Sequence, residues 1–407
     1  MKTAGVIAEY NPFHSGHLWH LEETRRRLGG DGGVVCAMSG NWVQRGEPAL
    51  VSKHVRAAMA LEGGADLVLE LPTLWAAASA ERFARGGVEV LNAAGVVDVL
   101  SFGSEEGTLD GLQAVADCLD SEEFRAGLRR FLNEGMPFAS ARQSAVRGIL
   151  GRAADCLDDP NNNLGVEYLR ALRACGSGME PMTVPRRGAG HDEEGEADGT
   201  ASASALRSWI RSGGWDRAEV FLTEENKLLL AHEQAQGRCP AALERCERAV
   251  LARLRTMTAE DWAALPDSGG GEGLPDRLVK AAYEARTLDE FLTAAKTKRY
   301  AHARLRRLML WAFLGLTAAD LPEHVPYLRV LAFNDRGREL LAQMKRTARL
   351  PVVTKPAHAR NLDEAGRRAF EWEARCTDLY GLCLPRVPGC GAEWRTGPVV
   401  GRQKPEA

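Results

Sequence analysis

The sequence predicts an α/β fold whose first part is a doubly wound parallel sheet. Two observations predict this fold class. Short apolar runs alternate with segments of helical spacing in the first hundred residues, and the chemically unusual residues come directly after the apolar runs. With 407 residues, 45% of them hydrophobic, the chain is long enough for two or three domains. We expect a mostly helical second half and a small C-terminal α/β segment.

The apolar runs are predicted to be strands at residues 4–10, 33–39, 66–72 and 97–103. Two of the helical segments between them end at glycines, Gly63-Gly64 and Gly95, which commonly stop helices. Strand–helix–strand repeats with short links form right-handed units whose sheet is covered on both faces. The loops that follow the strands therefore gather at one sheet edge, where ligands bind in such folds.

The chain beyond these strands is mostly helical. Residues 107–175 are predicted to form a helical insertion, with Asp159 or Asn161 capping its last helix. A β-like run at 181–187 leads into an acidic, glycine-rich segment at 188–204, which we interpret as a mobile loop.

Three further parts follow this loop. A helix is predicted to begin at Ser202 or Ser204, and residues 226–320 are helical apart from a flexible link at 266–275. A strand–helix–strand–helix pattern from residue 326 onward predicts the C-terminal α/β segment.

The composition favours a cytoplasmic protein without a membrane partner. No apolar run approaches the roughly 18 residues that a membrane-spanning helix needs, and the N-terminus lacks a signal-peptide pattern. Nine cysteines are scattered without a CxxC pair, as expected of reduced thiols. Cys376, Cys383 and Cys390 recur every seven residues, which does not match the spacing of zinc ligands, so we expect no protein metal site.

The stretch AEYNPFHSGH places a histidine on each side of a tight turn between the first predicted strand and helix. Pro12 fixes the backbone after the strand, and Gly16 lets the chain turn closely into the helix. A helix N-terminus offers free N–H groups and partial positive charge, which suit phosphate. His14 and His17 can both face that anion, and His20 lies one turn further on. A polar loop without function is the other interpretation.

Seven segments carry a resemblance to a known family, and in chain order they are GVIAEYNPFHSGHLWHL, MSGNWVQRGEPALVSKHVRAAMAL, GADLVLELP, LSFGSEEG, PNNNLGVEYL, KTKRYAHARLRR and YLRVLAFNDRGRELL. The HxGH turn alone resembles the nucleotidyltransferase-like superfamily that includes class I aminoacyl-tRNA synthetases, which act at the α-phosphate of a nucleoside triphosphate. Together, the segments resemble the bacterial tRNA(Met) cytidine acetate ligase family as far as about residue 345.

This resemblance implies ATP-dependent acetylation of the wobble cytidine of elongator tRNA(Met), with free acetate rather than acetyl-CoA as the acyl source. Attack of acetate on the α-phosphorus would release pyrophosphate and give acetyl-adenylate. The N4 amine of cytidine would then attack the acetyl carbon and release AMP. The enzyme must stabilise charge in the first step and position an RNA base in the second. Mg²⁺ is expected to accompany ATP, and the sequence does not indicate the oligomeric state.

The same resemblance implies an ATP site that combines the first motif with later residues. Gly103 follows the fourth strand, Asn161 and Asn162 precede a helix, and either Arg186 or Arg187 is expected to contact ATP. A turn glycine, helix caps and a solvated arginine pair are the alternatives. The first motif contributes Ile7, Ala8, Glu9, Tyr10, Asn11, Pro12, Phe13, His14, Ser15, Gly16, His17, Leu18, Trp19 and His20.

The loop SGNWVQRGEP after the second strand is expected to line the acetate or cytidine pocket, because such loops commonly carry function. Ser39 and Gln44 belong to it, and Trp42 either stacks on a base or packs the loop. The catalytic candidates are His14, His17, Asn41 and Arg45.

A basic stretch near residue 300 is predicted to contact tRNA phosphates. No acidic residue lies between Lys296 and Leu316, whereas the alternative, a solvated helix face, normally carries both signs. The predicted contacts are Lys296, Lys298, Arg299, Arg304, Arg306 and Arg307. We therefore divide the chain into a catalytic domain at 1–215 and a helical and α/β RNA-binding region at 216–407.

Two features depart from the family pattern. Ala301 stands where a threonine is usual, which weakens any specific role for a hydroxyl there. The acidic run HDEEGEAD at 191–198 is also unusual, and we expect it to point away from RNA because it would repel phosphates.

Two other functions remain open. A small-molecule nucleotidyltransferase that adenylylates a phosphorylated vitamin precursor uses the same turn, but it needs neither a long second half nor an acid-free basic helix. A non-catalytic RNA-binding protein on an inherited fold predicts erosion of the turn, yet both histidines and the glycine are present.

Overall fold

A central sheet of eight strands organises this protein, in a computed structural model that describes residues 2–105, 107–186, 201–269 and 273–401. Two further strands, β3 and β4, form a separate hairpin. In chain order the strands are β1 (Thr3–Ala8), β2 (Gly33–Ser39), β3 (Trp42–Val43), β4 (Glu47–Pro48), β5 (Leu67–Leu71), β6 (Val99–Ser104), β7 (Glu180–Pro185), β8 (Leu328–Phe333), β9 (Val352–Val353) and β10 (Val399–Val400).

The four strands predicted from the first hundred residues are present, and the doubly wound fold class is confirmed. β1 lies in the middle and pairs in parallel with β2 on one side and β6 on the other. β5 then pairs with β2, and β7 pairs with β6, again in parallel. The loops that follow β1, β2, β6 and β7 therefore meet at the carboxyl edge of one sheet.

The predicted C-terminal α/β segment adds strands to this sheet instead of forming a sheet of its own. β8 pairs antiparallel with β5, and β9 and β10 both pair with β8. Periodicity predicts a strand but not its partner, so the sequence could not place these strands. The division of the chain near residue 215 stays a prediction.

The remaining elements are helices, as predicted for the insertion and the second half. They are α1 (Ser15–Arg27), α2 (Lys53–Glu62), α3 (Thr73–Ala76), α4 (Ala80–Ala94), α5 (Asp110–Asp120), α6 (Glu122–Asn133), α7 (Phe138–Leu150), α8 (Pro160–Ala174), α9 (Ala203–Arg211), α10 (Trp215–Glu219), α11 (Glu224–Ala235), α12 (Glu247–Arg255), α13 (Ala259–Ala263), α14 (Leu274–Glu284), α15 (Leu288–Ala295), α16 (His302–Leu314), α17 (Asp335–Thr347), α18 (Glu364–Gly381) and α19 (Ala392–Arg395). Among the helices of the described ranges, none has the length and apolar character that crossing a bilayer requires.

Two helix starts decide between alternatives that the sequence left open. α8 begins after Asp159, so Asn161 lies inside its first turn. α9 begins after Ser202, whose side chain accepts a hydrogen bond from the Ala205 N–H. The acidic loop is predicted at 188–204, and its part up to residue 200, including the run at 191–198, lies outside the described residues.

Both faces of the sheet are buried, which explains the continuous apolar runs of its strands. Alternate residues of β2 belong to different clusters: Val34 and Cys36 pack with α1 and α2, whereas Val35 and Ala37 pack with α4. The insertion helix α8 packs against α4, and α5 packs against α8. The sheet edge that holds the loops is thereby fixed between two packed layers.

Candidate active site

The HxGH turn lies at the carboxyl edge of the sheet, between β1 and α1. His14 is the N-cap of α1, and its Nδ1 accepts a hydrogen bond from the Gly16 N–H at 3.1 Å. His17 Nδ1 accepts from the His14 N–H at 3.3 Å. Because each Nδ1 is an acceptor, this network assigns the proton of each neutral ring to Nε2. Each imidazole is therefore a hydrogen-bond donor through Nε2, not a base.

The two imidazole rings lie together at the wall of a cavity. Their centroids are 3.9 Å apart, and the Tyr10 ring lies edge-on to His17 at 5.0 Å. Burial, followed by the guanidinium groups of Arg186 and Arg207, lowers the pKa of His14 to about 3. His14 is thus neutral at pH 7, and the surrounding positive charge favours an anion beside it.

The cavity has a volume of about 220 Å³ and is enclosed by loops after four strands together with α8 and α9. Most of the first motif contributes to its wall. Pro12, Phe13, Ser15 and Leu18 are not among the lining residues. Those that line it are Ile7, Ala8, Glu9, Tyr10, Asn11, His14, Gly16, His17, Trp19 and His20. The ATP contacts of individual residues stay predictions.

The loops after β6 and β7 form one wall. Asn161 lies between two charged side chains: its Nδ2 donates to Glu105 Oε1 at 2.5 Å, and its Oδ1 accepts from Arg186 Nη1 at 3.1 Å. Gly103 lies beside this group, and a Cβ there would be 3.3 Å from Arg186 Cγ. Asn162 is fully buried instead, and its Oδ1 accepts from the Glu105 N–H at 3.1 Å. Asn162 therefore supports this wall from behind.

Arg186 lines the cavity, whereas Arg187 lies outside the described residues. Burial lowers the pKa of Arg186, which stays far above neutrality, so its positive charge is held in a partly desolvated setting. A partly desolvated guanidinium binds phosphate oxygens more strongly than an exposed one.

The same side of the cavity also has an apolar wall. The sequence analysis did not assign this wall to the site. Phe102 of β6 and Tyr168 of α8 have ring centroids 5.5 Å apart, and Leu164 lines the cavity beside them. Flat apolar surfaces of this kind suit a nucleobase. Helical spacing indicates that Leu164 and Tyr168 share an apolar face of α8, but it cannot show that part of this face borders a cavity.

The β3–β4 hairpin forms the opposite wall. Gln44 and Arg45 line the cavity, and the Gln44 N–H donates to Glu9 Oε1 at 2.8 Å. Ser39 is fully buried at the end of β2 and does not line it. The hairpin is thus tied to the end of β1 through a carboxylate that itself borders the cavity.

Asn41 and Trp42 are buried and fix the hairpin to the C-terminal part of the chain. Asn41 Oδ1 accepts from the Lys53 N–H at 2.8 Å, and its Nδ2 donates to Thr377 Oγ1 at 3.2 Å. The indole of Trp42 donates to the Cys376 carbonyl at 2.9 Å, so this residue packs the loop and does not stack on a base. A catalytic role for Asn41 stays a prediction, and its contacts are those of a residue that positions the loop.

The start of α9 brings an arginine that the sequence analysis did not select. Residues 201–203 line the cavity, and so does Arg207, which is almost fully buried. Its guanidinium donates to the Asn11 carbonyl at 2.9 Å and to Glu47 Oε1 at 3.3 Å. The cap at Ser202 indicated where this helix begins, but only the tertiary structure shows that its first turns lie beside the HxGH turn.

Arg56 holds the ends of two strands together behind the cavity. This fully buried guanidinium donates to the Glu9 carbonyl at 2.5 Å, to the Ser39 carbonyl at 3.1 Å and to the Gly40 carbonyl. Its Nε donates to the Val51 carbonyl at 3.2 Å. Burial lowers the pKa of Arg56 to about 10, so it stays charged at pH 7.

The sequence matches the family described as HIGH Nucleotidyl Transferase over residues 1–389. It is 37% identical to the tRNA(Met) cytidine acetate ligase of Acetivibrio thermocellus, over 98% of this chain and 100% of that protein. It is 34% identical to the protein of the same name from Thermoanaerobacter sp., over 97% of this chain and 98% of that protein. The chain belongs to the tRNA(Met) cytidine acetate ligase family. The resemblance carried by the sequence segments is thereby confirmed.

Solved structures give the same result for this ligase-family chain. Apo Thermotoga maritima TmcAL superposes with a TM-score of 0.94 at 32% identity, over 99% of this chain and 100% of that one. The same protein bound with alpha-thio ATP superposes with a TM-score of 0.91 over the same shares of both chains. The predicted HxGH nucleotidyltransferase type of fold is confirmed.

In this ligase-family chain, the predicted basic stretch adjoins the active-site hairpin. Gly46 of the hairpin lies so close to α16 that a Cβ there would be 2.7 Å from backbone atoms of Arg306 and Arg307. Gly46 also has a φ of 76°, which disfavours other residues. The hairpin and the first turns of α16 therefore form one surface at the side of the cavity.

The six predicted tRNA contacts are not equivalent. Lys298 and Arg299 are exposed before α16. Arg304 and Arg307 donate to the carbonyl and the carboxylate of Asp267 at 2.8 and 3.0 Å. The remaining two are the exposed Lys296, whose Nζ donates to a carbonyl at 2.7 Å, and the half-buried Arg306. Arg304 and Arg307 thus hold the loop before residue 270, whereas Lys298 and Arg299 project into solvent.

Proposed function

We propose that this protein is an ATP-dependent tRNA(Met) cytidine acetate ligase, which joins acetate to N4 of the wobble cytidine of elongator tRNA(Met). The other products are AMP and pyrophosphate. The near full-length similarity to ligases of that name carries the proposal. The donor geometry of the HxGH turn supports its first step, and the basic surface beside the hairpin supports an RNA substrate.

The first step activates acetate. One carboxylate oxygen attacks the α-phosphorus of ATP, and the bond from phosphorus to the bridging oxygen breaks, so that pyrophosphate leaves with the electron pair. Negative charge grows on the oxygens of the α-phosphate in the transition state. The Nε2–H groups of His14 and His17 are the donors assigned to that charge, and the positive end of the α1 dipole adds to them.

We assign the two walls of the cavity to different substrates. Adenine packs against the wall of Phe102 and Tyr168, with Asn161 and Arg186 at the nucleotide. Acetate and cytidine occupy the hairpin side, where the guanidinium of Arg45 is suited to a carboxylate. This arrangement puts the acyl oxygen and the α-phosphorus between the walls, beside the HxGH turn.

ATP is the only cofactor-like substrate that the proposal requires. Mg²⁺ arrives with the triphosphate, and in the described ranges no three His, Cys, Asp or Glu side chains are grouped to hold a metal. Acetyl-CoA has no part in the reaction, because acetyl-adenylate supplies the activated acyl group. We place the enzyme in the cytoplasm, where ATP and tRNA are found.

We assign tRNA binding mainly to the region 216–407. Lys298 and Arg299 are proposed as direct phosphate contacts, because they are exposed and carry no acidic neighbour in sequence. Arg306 extends this surface toward the hairpin. Lys296, Arg304 and Arg307 are proposed to shape the same surface, in keeping with the hydrogen bonds they already make.

One assay tests the proposed function. Protein is incubated with ATP, labelled acetate and unmodified elongator tRNA(Met), and both the tRNA and the free nucleotides are analysed. Label in tRNA as N4-acetylcytidine with an equal amount of AMP supports the ligase. AMP joined to a small acceptor without label in tRNA would instead indicate a small-molecule nucleotidyltransferase, and tRNA binding without any turnover would indicate an RNA-binding protein.

A further inference from the structure

Glu9 is the one acidic residue among the described residues that line the cavity. It directly follows β1, the central strand, and one of its carboxylate oxygens accepts from the Gln44 N–H at 2.8 Å. That bond ties the carboxylate to the β3–β4 hairpin. The second oxygen of a carboxylate in this place can accept a hydrogen bond from a substrate.

We propose that Glu9 accepts a hydrogen bond from the N4 amino group of the substrate cytidine and takes its proton during acetyl transfer. This inference rests on the proposed function and adds the general base of its second step. Carboxylates are the usual acceptors for cytosine N4–H groups. The side of the cavity assigned to cytidine is the side on which Glu9 meets the hairpin.

The N4 lone pair attacks the acetyl carbon of acetyl-adenylate, and a C–N bond forms. The bond between the acetyl carbon and the phosphate oxygen breaks, and AMP leaves with that electron pair. N4 loses one proton to the Glu9 carboxylate, which later releases it to water. The products are N4-acetylcytidine, AMP and one proton, and no redox partner is needed.

The histidines of the turn cannot replace Glu9 in this role. His14 and His17 both use Nδ1 as an acceptor of backbone N–H groups, so their Nε2 atoms already carry protons. The Nε2 of His20 lies 3.1 Å from Ser101 Oγ, inside the sheet edge. These rings are therefore suited to donate to phosphate, and the proton of the amine needs another acceptor.

The surroundings of Glu9 act on the pKa of its carboxyl group in both directions, with a net increase. Burial raises its pKa, and the Glu47 carboxylate adds to this effect. The Gln44 hydrogen bond and the guanidinium groups of Arg207 and Arg56 oppose it. Tyr168 faces Glu9 from α8, with a phenol whose own pKa is raised by burial and by this carboxylate. A carboxylate with a raised pKa takes a proton more readily than an exposed one.

The test separates the two half-reactions in Glu9→Gln. The amide oxygen can still accept from Gln44, but the amide nitrogen cannot take a proton. Single-turnover transfer from preformed acetyl-adenylate to tRNA should fall by about 10²–10⁴-fold, whereas acetate-dependent ATP–pyrophosphate exchange should fall by a factor at least about tenfold smaller. The transfer rate of Glu9→Asp, which keeps a carboxylate, should lie between those of wild type and Glu9→Gln. Glu22→Gln, on the exposed face of α1, is the matched control and should match wild type in both assays.

The pH profile gives an independent readout. In wild type, the transfer rate should rise with pH through the raised pKa of the Glu9 carboxyl group, and in E9Q that rise should be absent. Equal loss of both half-reactions in E9Q, or full transfer activity with an unchanged profile, would overturn the inference. A wild-type protein that transfers no acetyl group to tRNA would overturn the proposed function as well, so the two failures are distinguishable.

Discussion

At the scale of the residue, the protonation of His14 and His17 decides what their loss should do. His14→Ala or His17→Ala removes one N–H donor from the α-phosphate and should slow acetate-dependent ATP–pyrophosphate exchange by about 10²–10³-fold. Binding of tRNA, measured by filter retention, should change by less than about twofold. The control is His232→Ala, on an exposed part of α11. Unchanged exchange in both site variants would contradict the assignment.

A second histidine gives a prediction about acid stability. Burial and the Lys53 charge lower the pKa of His54 to about 3, and its Nε2 is buried without a partner. Between pH 6.5 and 3 the unfolded chain therefore binds a proton that the folded chain does not, so this residue lowers the free energy of unfolding as pH falls. Glu373, whose pKa burial raises to about 8, acts in the opposite direction, so wild type alone is not informative.

Comparison of wild type with His54→Gln isolates the contribution of this histidine to the free energy of unfolding. Relative to the variant, wild type should lose about 1–2 kcal/mol of unfolding free energy between pH 7.5 and pH 5. Urea unfolding of both proteins at the two pH values measures the difference. A constant difference between wild type and variant would show that His54 is not held neutral in the folded protein.

At the scale of the element, α4 lies close to its neighbours because of its glycines. A Cβ at Gly86 would lie 2.5 Å from ring atoms of the fully buried Trp75, and one at Gly87 would lie 2.6 Å from Ile7. Gly86→Ala should lower the free energy of unfolding by about 1–3 kcal/mol, because a buried indole cannot move away. Thermal unfolding measures the change.

Gly148→Ala is the matched control, with the opposite sign. Gly148 lies in α7, and nothing lies within 4 Å of a Cβ built there. The same substitution should raise stability by about 0.5–1 kcal/mol, because alanine is the better helix former. If both variants moved in the same direction, close approach of α4 would not be the reason for Gly86.

The local sequence pattern was sufficient to predict several strands and the first helix. Apolar runs predicted β1, β2, β5 and β6, and the HxGH turn predicted a helix directly after it, which is α1. Contacts between distant segments were not accessible in this way. Arg207 reaches the Asn11 carbonyl across 196 residues of sequence, and Asn41 meets Thr377 across 336. An arginine in a helix and an asparagine in a loop carry no local signal of such partners, so Arg207 was missed and the contacts of Asn41 could not be predicted.

At the scale of the whole molecule, the last helices support the first loops. Lys53 at the start of α2 lies 2.6 Å from Glu70 and 2.7 Å from Glu393 of α19, and all three side chains are almost fully buried. Thr377 Oγ1 also donates to Glu393, at 2.9 Å, and accepts from Asn41. The loop that bears Arg45 therefore depends on residues near the C-terminus.

Glu393→Gln should accordingly destabilise the protein by about 3–5 kcal/mol, since it removes the carboxylate that two buried cations, Lys53 and Arg329, share. Denaturant unfolding measures this loss. Glu371→Gln, on the exposed side of α18, changes the same chemical group at the surface and should have little effect. Equal stability of the two variants would show that the buried ion pairs do not hold the loop region together.

The same whole-molecule arrangement predicts how tRNA binding responds to charge and salt. Lys298→Glu with Arg299→Glu should weaken tRNA binding. The slope of log affinity against log salt concentration should decrease in magnitude by about one to two, because fewer counterions are released on binding when two phosphate contacts are lost. Acetate-dependent ATP–pyrophosphate exchange should stay near wild type, because these residues precede α16 and do not line the cavity. Arg129→Glu with Arg130→Glu reverses two adjacent exposed charges on α6 and serves as the control for net charge. If this control pair lowered affinity and salt slope equally, tRNA would be attracted by overall charge, and the surface before α16 would have no special part in binding it.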